Sequence, residues 1–191
     1  LVLPVFMFFK RGRERCLERL GIWKCRLDQC VWFHGASLGE TIGLERIAAE
    51  LRLLLPKENF FGSTTSPTGL SRSEKFCLKS KLLPFDHPLY FSRCIKSINP
   101  RVVVFAEAEI WPNLLLDLKK KGISAILVNA RVSERAYRKY RRLSSIFSEA
   151  LRSFAFIYAA DLDSAKRLIS LGIDPQNIEV ASNTKYDLPL I

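Results

Sequence analysis

The feature that most constrains this chain is a repeated switch between two hydrophobic periods. Short runs rich in β-branched and aromatic residues occur at 31–34, 60–64, 101–105, 125–128, 156–159 and 178–181, with a weaker run at 82–85. Between most of them the apolar residues recur at three- and four-residue spacing. Leu44, Ile47, Ala48, Leu51 and Leu55 make one stripe, Ala136, Tyr140, Leu143, Phe147 and Leu151 a second, and Ala165, Leu168 and Ile169 a shorter third ending at Gly172. A period near two suits a strand and one near 3.6 suits a helix. Strand and helix alternating this often imply crossover connections, which lay helices over both faces of a parallel sheet. The expected architecture is an α/β domain, a Rossmann-like parallel sheet with helices on both faces.

That class directs attention to one edge, because ligands of open α/β sheets bind outside the carboxyl ends of the strands. The segments expected there are HGASLGE (34–40), TTSPTG (64–69), DHP (86–88), EAE (107–109), NAR (129–131) and NTKYD (183–187). In the first, Gly35 and Gly39 permit close backbone approach, and Glu40 falls in the first turn of the next helix. The turn is neither a P-loop nor GxGxxG, since no Lys follows Gly39 and the glycine spacing differs. Glu40 reads either as a carboxylate favoured by the helix dipole or as a base taking a proton from a bound hydroxyl. Ser66, Thr68 and Gly69 read either as a helix-capping cluster or as donors to a sugar or phosphate. Glu107 and Glu109, in a strand-like extension, would face one side, two like charges close enough to raise the pKa of one of them. With Trp111 and Asn113 they resemble a surface for sugar hydroxyls and an apolar sugar face. Asn129 and Arg131 end another strand, where a guanidinium fork suits phosphate or carboxylate, and Lys185 has a weaker claim of the same kind.

Charge narrows the partners. Thirty Lys and Arg against nineteen Asp and Glu give +11 at neutral pH in 191 residues, pointing to phosphates, anionic lipid, nucleic acid or an acidic substrate. The aromatic residues lie mainly in the apolar stripes and strands and do not interleave with the cations as a base-stacking platform would, so no nucleic-acid partner is expected. Five cysteines without C-x-x-C spacing and only two histidines argue against a zinc site or a disulfide framework, and no metal or cofactor is called for. The cysteines, Trp23 and Trp32 read as core or connector residues.

The first nine residues, LVLPVFMFF, are apolar and precede Lys10, Arg11, Arg13 and Arg15. Nine helical residues cover less than half of a ~30 Å hydrocarbon core. The order, apolar and then basic, is the reverse of a secretory signal. It suits an interfacial anchor or the end of a longer helix, and equally a buried first element followed by a basic turn.

Taken in register, HGASLGE, TTSPTG, EAEIWPN, NARVSER and NTKYD resemble the amino-terminal half of the Kdo transferases, bacterial enzymes that add 3-deoxy-D-manno-octulosonic acid to the lipid A precursor. The departures from the family's wording, at Gly35, Ala36, Leu38, Ala108, Ile110, Val132, Thr184 and Tyr186, leave the polar residues in place. The resemblance implies one half of a GT-B glycosyltransferase: a membrane-proximal segment (1–26), an acceptor-binding domain (27–187) and the start of a linker (188–191) to a donor domain. It implies Glu40 as the general base and Glu107 as a second catalytic acid. The substrates implied are lipid IVA and CMP-Kdo, joined with inversion at the cytoplasmic face of the inner membrane in lipopolysaccharide biosynthesis. The sugar nucleotide is a substrate, so no cofactor is expected, and half an enzyme is expected to be inactive alone. The alternative is a truncated lipid- or membrane-binding module without catalysis.

Overall fold

A computed structural model describes residues 15–181; the apolar start and the NTKYD loop with Lys185 lie outside the described residues. In chain order the elements are α1 (Cys16–Arg19), β1 (Cys30–His34), α2 (Leu38–Leu54), β2 (Phe60–Thr64), α3 (Pro67–Ser73), β3 (Lys79–Leu82), α4 (Pro88–Ile98) and β4 (Pro100–Ala106). They continue with α5 (Pro112–Lys120), β5 (Ser124–Ala130), α6 (Glu134–Arg142), α7 (Ser144–Leu151), β6 (Phe154–Ala159), α8 (Leu162–Ser170) and β7 (Ile178–Val180). The strands form one parallel seven-stranded sheet in the order β3-β2-β1-β4-β5-β6-β7.

Strand alternation divides the core between the two faces. Trp32 of β1 and Val103 and Phe105 of β4 meet Phe91, Ile95 and Ile98 of α4, Leu114, Leu115 and Leu118 of α5, Leu151 of α7 and Leu168 of α8. Val31 and Phe33, then Val104 and Ala106, face the other way onto Leu44 and Ala48 of α2. Each large side chain buried this way contributes roughly 1.5–3 kcal/mol. The buried thiols belong to this core. Desolvation pushes Cys30 and Cys77 up to about 12, so neither is a thiolate near neutral pH.

Three elements differ from the sequence reading. The weak run at 82–85 is displaced, since β3 pairs Lys79 with Phe61 and Leu82 with Thr64. It is an edge strand whose Ser80 and Leu82 are buried while Lys79 stays exposed, a charge pattern that discourages edge pairing with another chain. The 136–151 stripe is two helices, because Leu143 leaves helical geometry at φ −108°, ψ 34° and is itself exposed. In α8 the buried apolar residues are Ala165 and Leu168, beside buried Ser164, whereas Ile169 is 37% exposed.

The described part of the first segment packs onto the domain. Trp23 lies in the main core and donates its indole N–H to the Leu82 carbonyl. Glu18 accepts the Leu82 N–H at 2.8 Å, and Arg19 donates to the carbonyls of Leu83 and Thr65 at 2.9 and 2.7 Å. The N–H and carbonyl of Leu82, at the end of β3, are thereby satisfied, and the loops after β2 and β3 are tied together.

Candidate active site

From β1 the chain runs outward through β2 to β3, and from β4 it runs outward the other way to β7. This reversal opens a crevice at the carboxyl ends of β1 and β4, the usual ligand position in such sheets. The loops leaving β1, β2, β4 and β5 border it.

Glu40 is held by its own helix. Ser37 caps α2, accepting the Glu40 N–H at 3.3 Å. In return the carboxylate accepts the Ala36 N–H at 2.8 Å and the Ser37 hydroxyl at 2.9 Å. This is a capping-box arrangement displaced by one residue, since the carboxylate reaches the residue before the cap. Burial lifts the Glu40 pKa above its ordinary value; the charge of Glu109 adds to this, the Ala36 and Ser37 bonds oppose it, and Glu107 adds a smaller upward push. Of the two sequence readings, the geometry bears out the helix-start one, since the carboxylate closes the turn that opens α2. A shallow groove beside it is lined by Gly39, Gly43, Glu107 and Asn129.

Glu107 and Glu109 do not continue the strand. Glu107 is left-handed at φ 56°, with its N–H on the Val128 carbonyl, and the chain turns at once. A left-handed non-glycine residue costs roughly 1–3 kcal/mol and is concentrated at functional sites. The strand-like extension is corrected by this turn, and Glu109 is not the acid that is raised. Burial pushes Glu109 up, but His34 and the Trp111 indole N–H, 3.3 and 2.8 Å from Oε2, bring it below its ordinary value. The like-charge effect of Glu109 falls on Glu40.

The other candidates divide. Ser66 caps α3 by accepting the Gly69 N–H at 3.1 Å, and a Cβ on Gly69 would stand 2.5 Å from Thr64 Oγ1, so close packing requires the glycine. Thr68 is exposed beside them. Trp111 is committed to Glu109. Asn113 is committed to Asp86, donating its side-chain amide to the carboxylate at 3.2 Å and to the backbone carbonyl at 3.1 Å. Asn129 is left-handed at φ 54° where β5 slips register against β6, a bulge that re-aims its side chain toward Glu107 Oε1 at 3.4 Å. Its Oδ1 is buried and accepts no hydrogen bond among the described residues. Arg131 is exposed at the sheet edge. Lys185 lies outside the described residues.

Sequence reasoning missed His34 and Asp86 as site residues. His34 shares the face of β1 that carries Trp32, is fully buried, and joins Ser63 to Glu109. A histidine at the end of an otherwise apolar strand was the available signal. Asp86 supports the start of α5 through the Asn113 N–H; burial raises its pKa and the Asn113 bonds oppose the rise.

The site thus brings together a carboxyl whose pKa is raised, a second carboxylate whose pKa is lowered, a half-buried indole and an exposed guanidinium around one crevice. Residues 14–188 match the family model for 3-deoxy-D-manno-octulosonic-acid transferase (kdotransferase). The chain belongs to the kdotransferase family. A relative named 3-deoxy-D-manno-octulosonic acid transferase in Haemophilus influenzae is 30% identical over 184 residues, covering 93% of this chain and 43% of the relative. One of the same name in Chlamydia muridarum is 27% identical, covering 81% and 37%. The chain therefore spans less than half the length of these kdotransferases. In fold it is similar to the UDP-GlcNAc 2-epimerase of Neisseria meningitidis bound to UDP-GlcNAc, with TM-score 0.57 and 13% identity over 82% of this chain and 47% of that one. The kdotransferase match includes every strand of the sheet. Among the described residues no helix is long and apolar enough to cross a membrane, and no group of three or more His, Cys, Asp or Glu could hold a metal ion.

Proposed function

We propose that this chain is the acceptor side of a Kdo transferase and that Glu40 is its general base. The acceptor is lipid IVA. One of its glucosamine hydroxyls attacks the anomeric carbon of CMP-Kdo, the bond from that carbon to the phosphate oxygen breaks with inversion, CMP leaves with the bonding pair, and the hydroxyl proton passes to Glu40. The observation that carries this reading is the elevated Glu40 carboxyl at the mouth of the β1–β4 crevice, within the field of Glu109 and Glu107. A base works best when its pKa approaches the working pH, and burial with a like-charged neighbour moves a glutamate that way.

The remaining residues take supporting roles. Glu107 is the second catalytic acid, and Asn129 beside it supplies an acceptor in Oδ1. Trp111 and Glu109 border the sugar, Ser66, Thr68 and Gly69 line the neighbouring loop, and Asn113 holds that wall through Asp86. Arg131, and Lys185 in the last loop, meet acceptor phosphate. Arg135, Arg138, Lys139 and Arg142 line an open basic groove with the exposed Leu143, a surface suited to anionic lipid at the cytoplasmic face of the inner membrane. The reading calls on no resident cofactor and no nucleic-acid partner. CMP-Kdo is held by a separate donor domain, so transfer by this chain alone is negligible.

The test is Kdo transfer from CMP-Kdo to lipid IVA by an enzyme pairing this chain with a donor domain. Glu40→Gln is expected to abolish turnover with the fold intact; retained turnover removes Glu40 as the base.

A further inference from the structure

The two carboxylates facing the crevice from α2 and from the loop after β4 have different kinds of partner. Glu109 Oε2 faces His34 Nε2 at 3.3 Å and accepts the Trp111 indole N–H at 2.8 Å. An indole N–H only donates. On the far side of the imidazole, Nδ1 is 2.8 Å from Ser63 Oγ, and that hydroxyl already accepts the Trp32 indole N–H at 2.7 Å. The Ser63 proton is therefore free to go to Nδ1, which leaves the ring proton on Nε2, aimed at Glu109. In the opposite tautomer the Nδ1–H would be shared between Ser63 Oγ and the Ser63 carbonyl at 3.2 Å, and the Ser63 hydroxyl proton would then have no acceptor among the described residues. Glu109 thus meets two N–H donors on one oxygen, Oε2, and such donors favour the ionised carboxylate, whose oxygen accepts more strongly than that of a neutral carboxyl.

Glu40 is supported differently. One oxygen accepts the Ala36 N–H, but the other faces the Ser37 hydroxyl at 2.9 Å. A hydroxyl both donates and accepts, so Ser37 turns to satisfy Glu40 in either protonation state.

We infer that His34 is a positioning residue which, with Trp111, pins Glu109 as the permanently charged acid and so leaves Glu40 as the carboxylate that gains and loses the proton. The inference deepens the role proposed for Glu40 and rests on it. The groups facing this pair are accounted for. His34 meets Ser63 of β2, the Phe105 ring of β4 and Trp111. Glu109 also acts on Tyr140 of α6, whose pKa burial and the Glu109 charge both raise, and Glu107 acts on Glu40. None of these substitutes for the N–H donors on Glu109.

The test reads protonation directly in the 191-residue chain without substrate, so its failure is distinct from failure of the Kdo assignment. Side-chain carboxyl carbons are followed by NMR against pH in wild type, His34→Gln, His34→Phe and Glu109→Gln, and the His34 ring nitrogens are observed in wild type. As pH rises, wild type is expected to ionise Glu109 before Glu40, with the ring proton on Nε2. Glu109→Gln should lower the Glu40 midpoint. His34→Gln, whose amide N–H replaces the Nε2 donor, should keep the order, and His34→Phe should narrow or reverse it. Should His34→Phe fail to fold, Glu109→Gln, His34→Gln and the ring nitrogens decide. A ring proton on Nδ1, a Glu40 midpoint unmoved by Glu109→Gln, a reversed order in folded His34→Gln, or an unchanged order in folded His34→Phe overturns the inference.

Discussion

The Glu40 carboxylate accepts the backbone N–H of Ala36 at 2.8 Å, so the side chain proposed as the base also fastens the turn that precedes its own helix. The two roles separate by substitution. Glu40→Gln keeps an oxygen for the Ala36 N–H, whereas Glu40→Ala removes it and frees the Ser37 hydroxyl. Urea unfolding should show a loss of about 1 kcal/mol for Glu40→Ala and little change for Glu40→Gln. Kdo transfer should vanish in both.

Arg19 is 8% exposed and reaches the carbonyls of Leu83 and Thr65, joining the loops that follow β3 and β2. Arg19→Met fills much of the volume and leaves both carbonyls without this donor. A loss of about 2–4 kcal/mol in urea unfolding is expected, from two forfeited charge-assisted bonds. Stability equal to wild type would show that the two loops are held independently of Arg19.

Asp86 gives a pH signature of defined sign. Burial raises its folded pKa above the unfolded value, so its contribution to stability is fully present below the ordinary carboxylate pKa of about 3.9 and is lost as pH rises through the folded value. Asp86→Asn removes that dependence. Relative to wild type, the variant should gain stability as pH rises from about 3.9 toward neutrality, measured as the difference in unfolding free energy across a pH series. A difference that is flat or falls with pH contradicts the burial of an elevated acid at this position.

Much of the fold was legible because burial on both faces writes itself into continuous apolar strands such as 31–33 and 102–105, and helices into three- and four-residue spacing. What escaped depends on contacts distant in sequence. The position of β3 is set by its pairing with β2, and its Lys79 and Lys81 carry no strand signal. The interruption at Leu143 leaves the apolar spacing intact on either side. In the site, the loops and their acids were visible from residue type and position. The left-handed turn at Glu107, which ends the strand-like extension, was not, and neither was the His34 bridge, since Ser63 and Glu109 reach it from two other segments.

Arg131 is exposed at the sheet edge and its charge helps hold down the pKa of Asp161, the cap of α8, after the Ser164 bonds. Arg131→Ala should change unfolding free energy by no more than about 0.5 kcal/mol. Losing a charge-assisted phosphate contact should weaken acceptor binding about tenfold, read by calorimetry with the lipid A precursor. Unchanged affinity removes Arg131 from the acceptor site.

The most direct measurement of the central claim is an amide NMR titration of this chain with the lipid A precursor in detergent micelles, with empty micelles as the reference. Acceptor binding at the β1–β4 crevice should move the signals of residues 36–40, 107–111 and 129–131. Unmoved signals there, with changes confined to the opposite end of the sheet around Arg26, Lys96 and Asn99, would contradict it.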